Sequence, residues 1–152
     1  GKPSEGGSST DAIEELGLRD CVSWVHGVSD NRIVELYSEA QIAVVPSLYE
    51  GFSLPAIEAM SCGVPLVTTT GGALPEVAGP HDETCFQVPP GDSEALAAMI
   101  GKVLDNPESR SRVGENGRQR VIENWSWHHT ALRTVEQYHL LLAESRDSHV
   151  DS

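Results

Sequence analysis

The chain has 152 residues, 39% of them hydrophobic and only 5% aromatic, and a formal net charge of −13. This length and composition indicate one globular domain with an aliphatic core and exclude a disordered chain. The negative charge makes nucleic acid and anionic membrane surfaces poor partners, because both repel an acidic surface.

Three cysteines, Cys21, Cys62 and Cys85, are scattered without the Cys-x-x-Cys spacing. An odd, unclustered set is typical of reduced, buried thiols, so we expect a cytoplasmic protein. No signal peptide opens the chain and no apolar run approaches the length of a membrane span. The first residue is Gly1 rather than methionine, which indicates a processed or truncated chain, or the tail of a longer protein.

Periodicity and capping residues predict the elements in chain order. The first half predicts a helix over 10–16 ended by Gly17, a strand over 22–25, a helix over 30–39 capped by Asp30 or Asn31, a strand over 42–45 and a helix over 55–62. The second half predicts a strand over 64–69, a helical turn over 74–77, a strand over 84–88, and helices over 93–104, 107–124 and, capped by Ser126, up to 144.

Strands that alternate with helices predict a parallel sheet built through right-handed crossovers. The fold class is therefore α/β, a Rossmann-like parallel sheet flanked by helices. Four strands are few for a complete doubly wound domain, so we expect further strands upstream of Gly1. We assign 1–145 to this partial domain and 146–152 to a polar, disordered tail.

Glu58 is an unusual residue for its surroundings. The helix over 55–62 is apolar apart from Glu58 and Ser61, which predicts a helix buried on most sides. A buried carboxylate is costly unless it is paired. A capping box with Ser53 would need its acid at Ala56, so that explanation is excluded. Two remain: an acid favoured by the helix dipole, or a carboxylate that accepts two ligand hydroxyls, as acids do for ribose.

The loop before this helix combines an acid with backbone donors. Glu50 lies at the end of the strand over 42–45, and Gly51 permits a positive φ or close backbone approach. Pro55 suits the first helical turn, so the amides of residues 52–54 would face outward at a helix N-terminus, a natural anion site. Acceptors for hydroxyls beside donors for phosphate suit a nucleotide sugar.

The residues of this loop and helix carry a resemblance to a known family. The stretch 50–60, Glu-Gly-Phe-Ser-Leu-Pro-Ala-Ile-Glu-Ala-Met, and then 63–67, Gly-Val-Pro-Leu-Val, resemble the signature of the retaining glycosyltransferases of family four, the glycosyl transferases group 1. The resemblance extends to residues 22–27, 43–47, 71–77 and 125–127. Because that family has the GT-B architecture of two Rossmann-like domains facing across a cleft, it implies a C-terminal half of a GT-B fold, truncated at its N-terminus.

The resemblance also implies roles for individual positions. Glu50 would be the catalytic residue that contacts the donor sugar and helps to place its anomeric carbon. The donor-binding residues would be Gly51, Phe52, Ser53 and Leu54 at the diphosphate, Glu58 at the ribose, and Gly27 and Val28 at the base. The implied reaction is retaining transfer of a hexosyl group from a nucleotide-diphosphate sugar, with no metal and no other cofactor.

Two features depart from the family pattern. The family often has glycine where this chain has Ser53. Its basic pair on the phosphates and its acceptor-binding domain would lie upstream of Gly1. We therefore expect the acceptor to bind through a missing N-terminal domain, and residues 1–152 alone to be inactive.

Two other functions remain open. One is a non-catalytic nucleotide-sugar-binding or interaction module on the same fold, because a fold does not determine a function. The other is a different GT-B enzyme, such as a nucleotide-sugar epimerase. Trp125 and Trp127 are interpreted as aromatic anchors at a helix junction rather than as a sugar-stacking pair.

Overall fold

The computed structural model describes residues 8–147 of the chain. These residues divide into two compact units, the first ending at Leu36 and the second beginning at Tyr37. The first unit contains helix α1 (Ser8–Glu15), a 3-10 turn (Arg19–Cys21) and the start of helix α2 (Asp30–Glu39). Gly17 ends α1 with a φ of 66°, and the Leu18 amide donates to the Ile13 carbonyl at 2.9 Å. The C-cap predicted at Gly17 is thus confirmed.

The strand predicted over 22–25 is wrong. The sheet of the described residues has three strands rather than the four predicted, and the structure assigns residues 22–25 no strand. Alternating side chains suit a strand, but alternation alone does not determine whether the backbone forms one. The cap of α2 differs as well, because the Arg32 amide donates to Ser29 Oγ at 3.4 Å rather than to the predicted Asp30 or Asn31.

The second unit is built on a parallel sheet in the order β1-β2-β3. Val44 of β1 lies opposite Val67 of β2, which lies opposite Phe86 of β3. The strands and helices of this unit are β1 (Ala43–Val45), α3 (Leu54–Ser61), β2 (Leu66–Thr69), α4 (Leu74–Ala78), β3 (Phe86–Val88), α5 (Ser93–Leu104), α6 (Pro107–Asn124) and α7 (Trp127–Asp147).

The core lies on both faces of this sheet. All of β2 is buried, as expected for a central strand that is covered on both sides. Successive side chains of a strand point to opposite faces, so Leu66 and Val67 belong to different clusters. Leu66 packs with residues of α3 and α4, including Met60 and Leu74, whereas Val67 packs with Phe86 and with residues of α5 and α6. Helices therefore flank the sheet on both faces, as predicted.

The last two helices begin at capping residues. Asn106 Oδ1 accepts from the Ser109 amide at 3.0 Å, and Ser126 Oγ accepts from the His129 amide at 3.3 Å, so the cap predicted at Ser126 is confirmed. Most of the tail predicted over 146–152 lies outside the described residues. None of the helices over residues 8–147 is long and apolar enough to cross a membrane.

The cysteines only partly match the expectation of buried thiols. All three are free; Cys85 is buried, but Cys21 is exposed at the surface of the first unit. Burial raises the pKa of the Cys85 thiol to about 11, because the interior disfavours the charged thiolate. Cys85 therefore stays protonated near neutral pH and acts as a core residue.

Candidate functional site

The candidate site lies at the carboxyl end of β1, where the chain passes through a loop over 46–53 into α3. Glu50 in this loop pairs with Gly72 in a single parallel bridge. Gly72 itself follows β2, so the loops after the two neighbouring strands lie side by side. Crevices at the carboxyl ends of parallel strands are the usual ligand sites of open α/β sheets.

Hydrogen bonds within these loops orient the Glu50 carboxylate. Ser47 Oγ donates to Glu50 Oε1 at 2.8 Å, and the Ser47 carbonyl in turn accepts from Thr69 Oγ1. The Ala73 amide donates to the Glu50 carbonyl at 2.8 Å. Glu50 is half-buried, and Oε2 has no partner among the residues that the structure describes. One oxygen of the carboxylate is thus held by the protein and the other is available to a ligand.

The backbone of Gly72 touches the backbone of Glu50. Gly72 has a φ of 64°, in the left-handed region, and a Cβ built on it would overlap the Glu50 carbonyl oxygen. Glycine is required at position 72 for two reasons: its φ is positive, and a Cβ atom would clash with the backbone of Glu50. Gly71 and Gly72 thus form a tight loop, which packs against the loop that carries Glu50.

Gly72→Ala should destabilise the second unit by about 2–5 kcal/mol, because it adds a backbone clash to the strain of a positive φ. Gly17→Ala is the matched control: its φ is 66°, but its Cβ would meet no atom within 4 Å. It should cost only about 1–2 kcal/mol. Urea unfolding measures both losses, and equal losses would mean that the contact between the loops contributes nothing.

The N-terminus of α3 offers donors that the protein does not use. Ser53 is the N-cap, but its side chain makes no capping hydrogen bond, although it is only 1% exposed. Within residues 8–147, Ser53 Oγ has no hydrogen-bond partner, and no acceptor pairs with the amides of Phe52, Ser53 and Leu54. Leaving such a buried hydroxyl unsatisfied costs about 1–3 kcal/mol, so each example calls for an explanation.

The space beside Gly51 is open. Gly51 does not have a positive φ, and a Cβ built on it would meet no atom within 4 Å. The sequence predicted either a positive φ or a close backbone approach at Gly51, and the prediction of a positive φ is wrong. The room left by the missing Cβ allows another molecule to approach the backbone closely.

Glu58 is exposed, so the expectation of a buried carboxylate is wrong. The helical period explains the error: Ala56, Ala59 and Met60 share the buried face of α3, and Glu58 lies outside that face. The helix is rich in apolar residues because its buried face is wide, and not because it is covered all round.

Tyr37, at the end of α2, contacts this carboxylate. Its hydroxyl lies 3.4 Å from Glu58 Oε2 and 3.4 Å from the Pro55 carbonyl oxygen. Partial burial, and then the negative charge of Glu58, raise the pKa of Tyr37 above its ordinary value, so the phenol remains a donor. The sequence did not predict this contact, since helical periodicity says nothing of where a hydroxyl points.

Most residues of the predicted donor site belong to the second unit. Gly51, Phe52, Ser53, Leu54 and Glu58 share one turn with Glu50. Gly27, with a φ of 65°, and Val28, which is exposed, belong to the first unit. Their role at the base stays a prediction. Ser47 and Tyr37 are the residues that sequence analysis did not assign to the site.

Comparison with known proteins identifies the class. The family described as Glycosyl transferases group 1 matches residues 4–120, and the chain belongs to this family. An MMP alpha-(1->4)-mannosyltransferase from Mycolicibacterium hassiacum is 45% identical over 137 residues, which are 90% of this chain and 33% of the relative. The chain thus spans about a third of the length of that relative.

Solved structures agree on the fold. A sucrose-phosphate synthase from Thermosynechococcus elongatus matches with a TM-score of 0.80 and 38% identity, over 90% of this chain and 34% of that one. The Anabaena protein HepE, solved in complex with UDP-glucose, matches with a TM-score of 0.73 and 23% identity, over 90% of this chain and 36% of that one. The predicted fold class is confirmed, and the chain corresponds to the C-terminal half of a GT-B fold.

Proposed function

We propose that this chain is the donor domain of a retaining glycosyltransferase, which binds a nucleotide-diphosphate sugar and transfers a hexosyl group without a metal. The observation that carries the proposal is the N-terminus of α3, where the buried hydroxyl of Ser53 and the amides of residues 52–54 have no partner among residues 8–147 and lie between Glu50 and Glu58 in the sequence. Donors and acceptors of hydrogen bonds thus lie side by side, in the combination that a nucleotide sugar requires.

The diphosphate would lie at residues 51–54. The amides of Phe52, Ser53 and Leu54 and the positive end of the α3 dipole favour an anion, and Gly51 lets the phosphates approach the backbone. This arrangement suits a chain with a net charge of −13, because backbone donors attract phosphate without a basic side chain. The leaving diphosphate gains charge in the transition state, where such fixed donors stabilise it without a metal.

The two carboxylates would divide the hydroxyls of the donor. Glu58, exposed at the surface and contacted by Tyr37, would accept the ribose hydroxyls. Glu50, held by Ser47, would accept hydroxyls of the transferred sugar and place its anomeric carbon beside the diphosphate. Gly27 and Val28 would line the base. The acceptor would bind through a second domain, without which residues 1–152 would be inactive.

The relatives support this proposal. The mannosyltransferase from Mycolicibacterium hassiacum is a glycosyltransferase by name, and HepE, which shares the fold, was solved in complex with UDP-glucose. Neither comparison fixes the base or the sugar for the present chain. The test therefore uses three nucleotides.

Titration of the full-length protein with UDP, GDP and ADP, followed by NMR, should shift the amides of residues 51–54 for at least one nucleotide. The N-terminus of α5 is an internal control, because its cap Asp92 already accepts from the Ala95 amide at 2.8 Å. The amides near Ser93 should not move. If none of the three nucleotides shifts residues 51–54, the donor site is not where we place it.

A further inference from the structure

We propose that Trp125, at the junction between α6 and α7, positions residues 51–54, called the donor loop below. It does so through a contact with the ring of Phe52. The inference rests on the proposed donor function of residues 51–54. The inference assigns the C-terminal segment of the chain a role in donor binding, although Trp125 lies 73 positions after Phe52 in the sequence.

The two rings form an edge-to-face pair. Their centroids lie 5.4 Å apart and their planes meet at 73°. This geometry is favoured between aromatic rings, because the positive edge of one faces the negative face of the other. The contact therefore selects one position and orientation for the Phe52 ring.

Trp125 is itself held firmly. Its indole Nε1–H donates to the Val77 carbonyl at 3.2 Å, and its amide donates to the Val121 carbonyl at 2.9 Å. Its ring packs against the buried cluster that includes Met60 and Leu74. Trp125 thus joins α4, α6 and the core, and is a fixed point against which a loop can be set.

Phe52 needs such a partner. It is 48% exposed, so burial in the core does not hold it. The residue before it, Gly51, has no side chain to restrain the backbone and no protein atom within 4 Å of its Cβ position. Holding the ring holds the Cα of Phe52, and with it the direction of the amides on either side. Binding then loses less conformational entropy, because the amides are already in place.

Trp127 provides a matched control. It belongs to the same Trp-Ser-Trp sequence but is 89% exposed, and among the residues described it makes no ring contact. The interpretation of both tryptophans as anchors is thus supported for Trp125 and wrong for Trp127. Trp125 packs against the core and Trp127 is exposed, a difference that the sequence around them does not predict.

Phe52→Leu should raise the KM for the nucleotide sugar about three- to tenfold in the full-length protein, with kcat nearly unchanged. Trp125→Leu should do the same, and Trp127→Leu should leave both parameters unchanged. Phe52→Leu is the safer variant, since a half-exposed side chain contributes little to folding. Trp125→Phe, which keeps an aromatic ring but not the bond to Val77, should restore much of the affinity.

A double-mutant cycle separates positioning from simple stabilisation. If Trp125 acts through Phe52, Trp125→Leu should add little to KM once Phe52→Leu is present. If Trp125→Leu lowers only the unfolding temperature and Phe52→Leu leaves KM unchanged, the inference is overturned. If Glu58→Ala weakens nucleotide binding while Phe52→Leu does not, it fails alone. If the unmodified protein binds no nucleotide, it fails together with the proposed function.

Discussion

Glu58→Ala should weaken nucleotide-diphosphate binding by about 10- to 100-fold. Each hydrogen bond from a ribose hydroxyl to a charged carboxylate contributes about 1.5–3 kcal/mol, and water replaces part of what is lost. Because Glu58 is exposed, the unfolding free energy should change by less than about 0.5 kcal/mol. Calorimetric titration of the full-length protein with the nucleotide that binds most tightly measures the loss.

The most specific test of Glu58 compares the affinities for nucleotides with and without the ribose 2′-hydroxyl. The unmodified protein should prefer a nucleoside diphosphate over its 2′-deoxy form, and Glu58→Ala should remove most of that preference. Glu94→Ala, which removes an exposed acid from the first turn of α5, is the control for charge alone. If Glu58→Ala and Glu94→Ala change affinity equally, Glu58 does not contact the ribose.

Tyr37→Phe tests the contact between the Tyr37 hydroxyl and the Glu58 carboxylate. Removing the hydroxyl that lies 3.4 Å from Glu58 Oε2 should cost part of the same preference for ribose. It should have no further effect when Glu58 is already alanine, because its action passes through that carboxylate. An equal effect in both backgrounds would show that Tyr37 acts on the fold instead.

Glu50→Gln should lower turnover by about 100- to 1000-fold and leave nucleotide affinity nearly intact. The amide oxygen of glutamine can still accept from Ser47, so the loop should keep its conformation. The negative charge is lost, and with it the interactions with the sugar that strengthen as the anomeric carbon gains positive charge. Such interactions change kcat rather than binding.

The assay follows loss of UDP-glucose, GDP-mannose or ADP-glucose, by transfer or by hydrolysis, in the full-length protein. Ser47→Ala, which frees the Glu50 carboxylate but keeps its charge, should lower turnover far less than Glu50→Gln. If the Glu50 and Glu58 variants lower turnover and affinity to the same extent, the division of roles between the two carboxylates is wrong.

The sequence by itself determined the features that depend on neighbouring residues. Short apolar runs predicted the strands over 42–45, 64–69 and 84–88, and Gly17 and Ser126 predicted where one helix ends and another begins. The stretch 50–60 also predicted the family, because a glycine, a proline and two acids at fixed spacing in one turn form a specific combination.

Only the tertiary structure decided which residues meet across long distances in sequence. Residues 22–25 alternate like a strand, but the structure assigns them no strand. Glu58 has the apolar neighbours of a buried residue, yet the angle of 100° per residue in a helix places it outside the buried face. The contacts of Glu50 with Gly72, and of Phe52 with Trp125, join segments 22 and 73 positions apart. No local pattern encodes such pairs, because they arise when the helices and strands pack together.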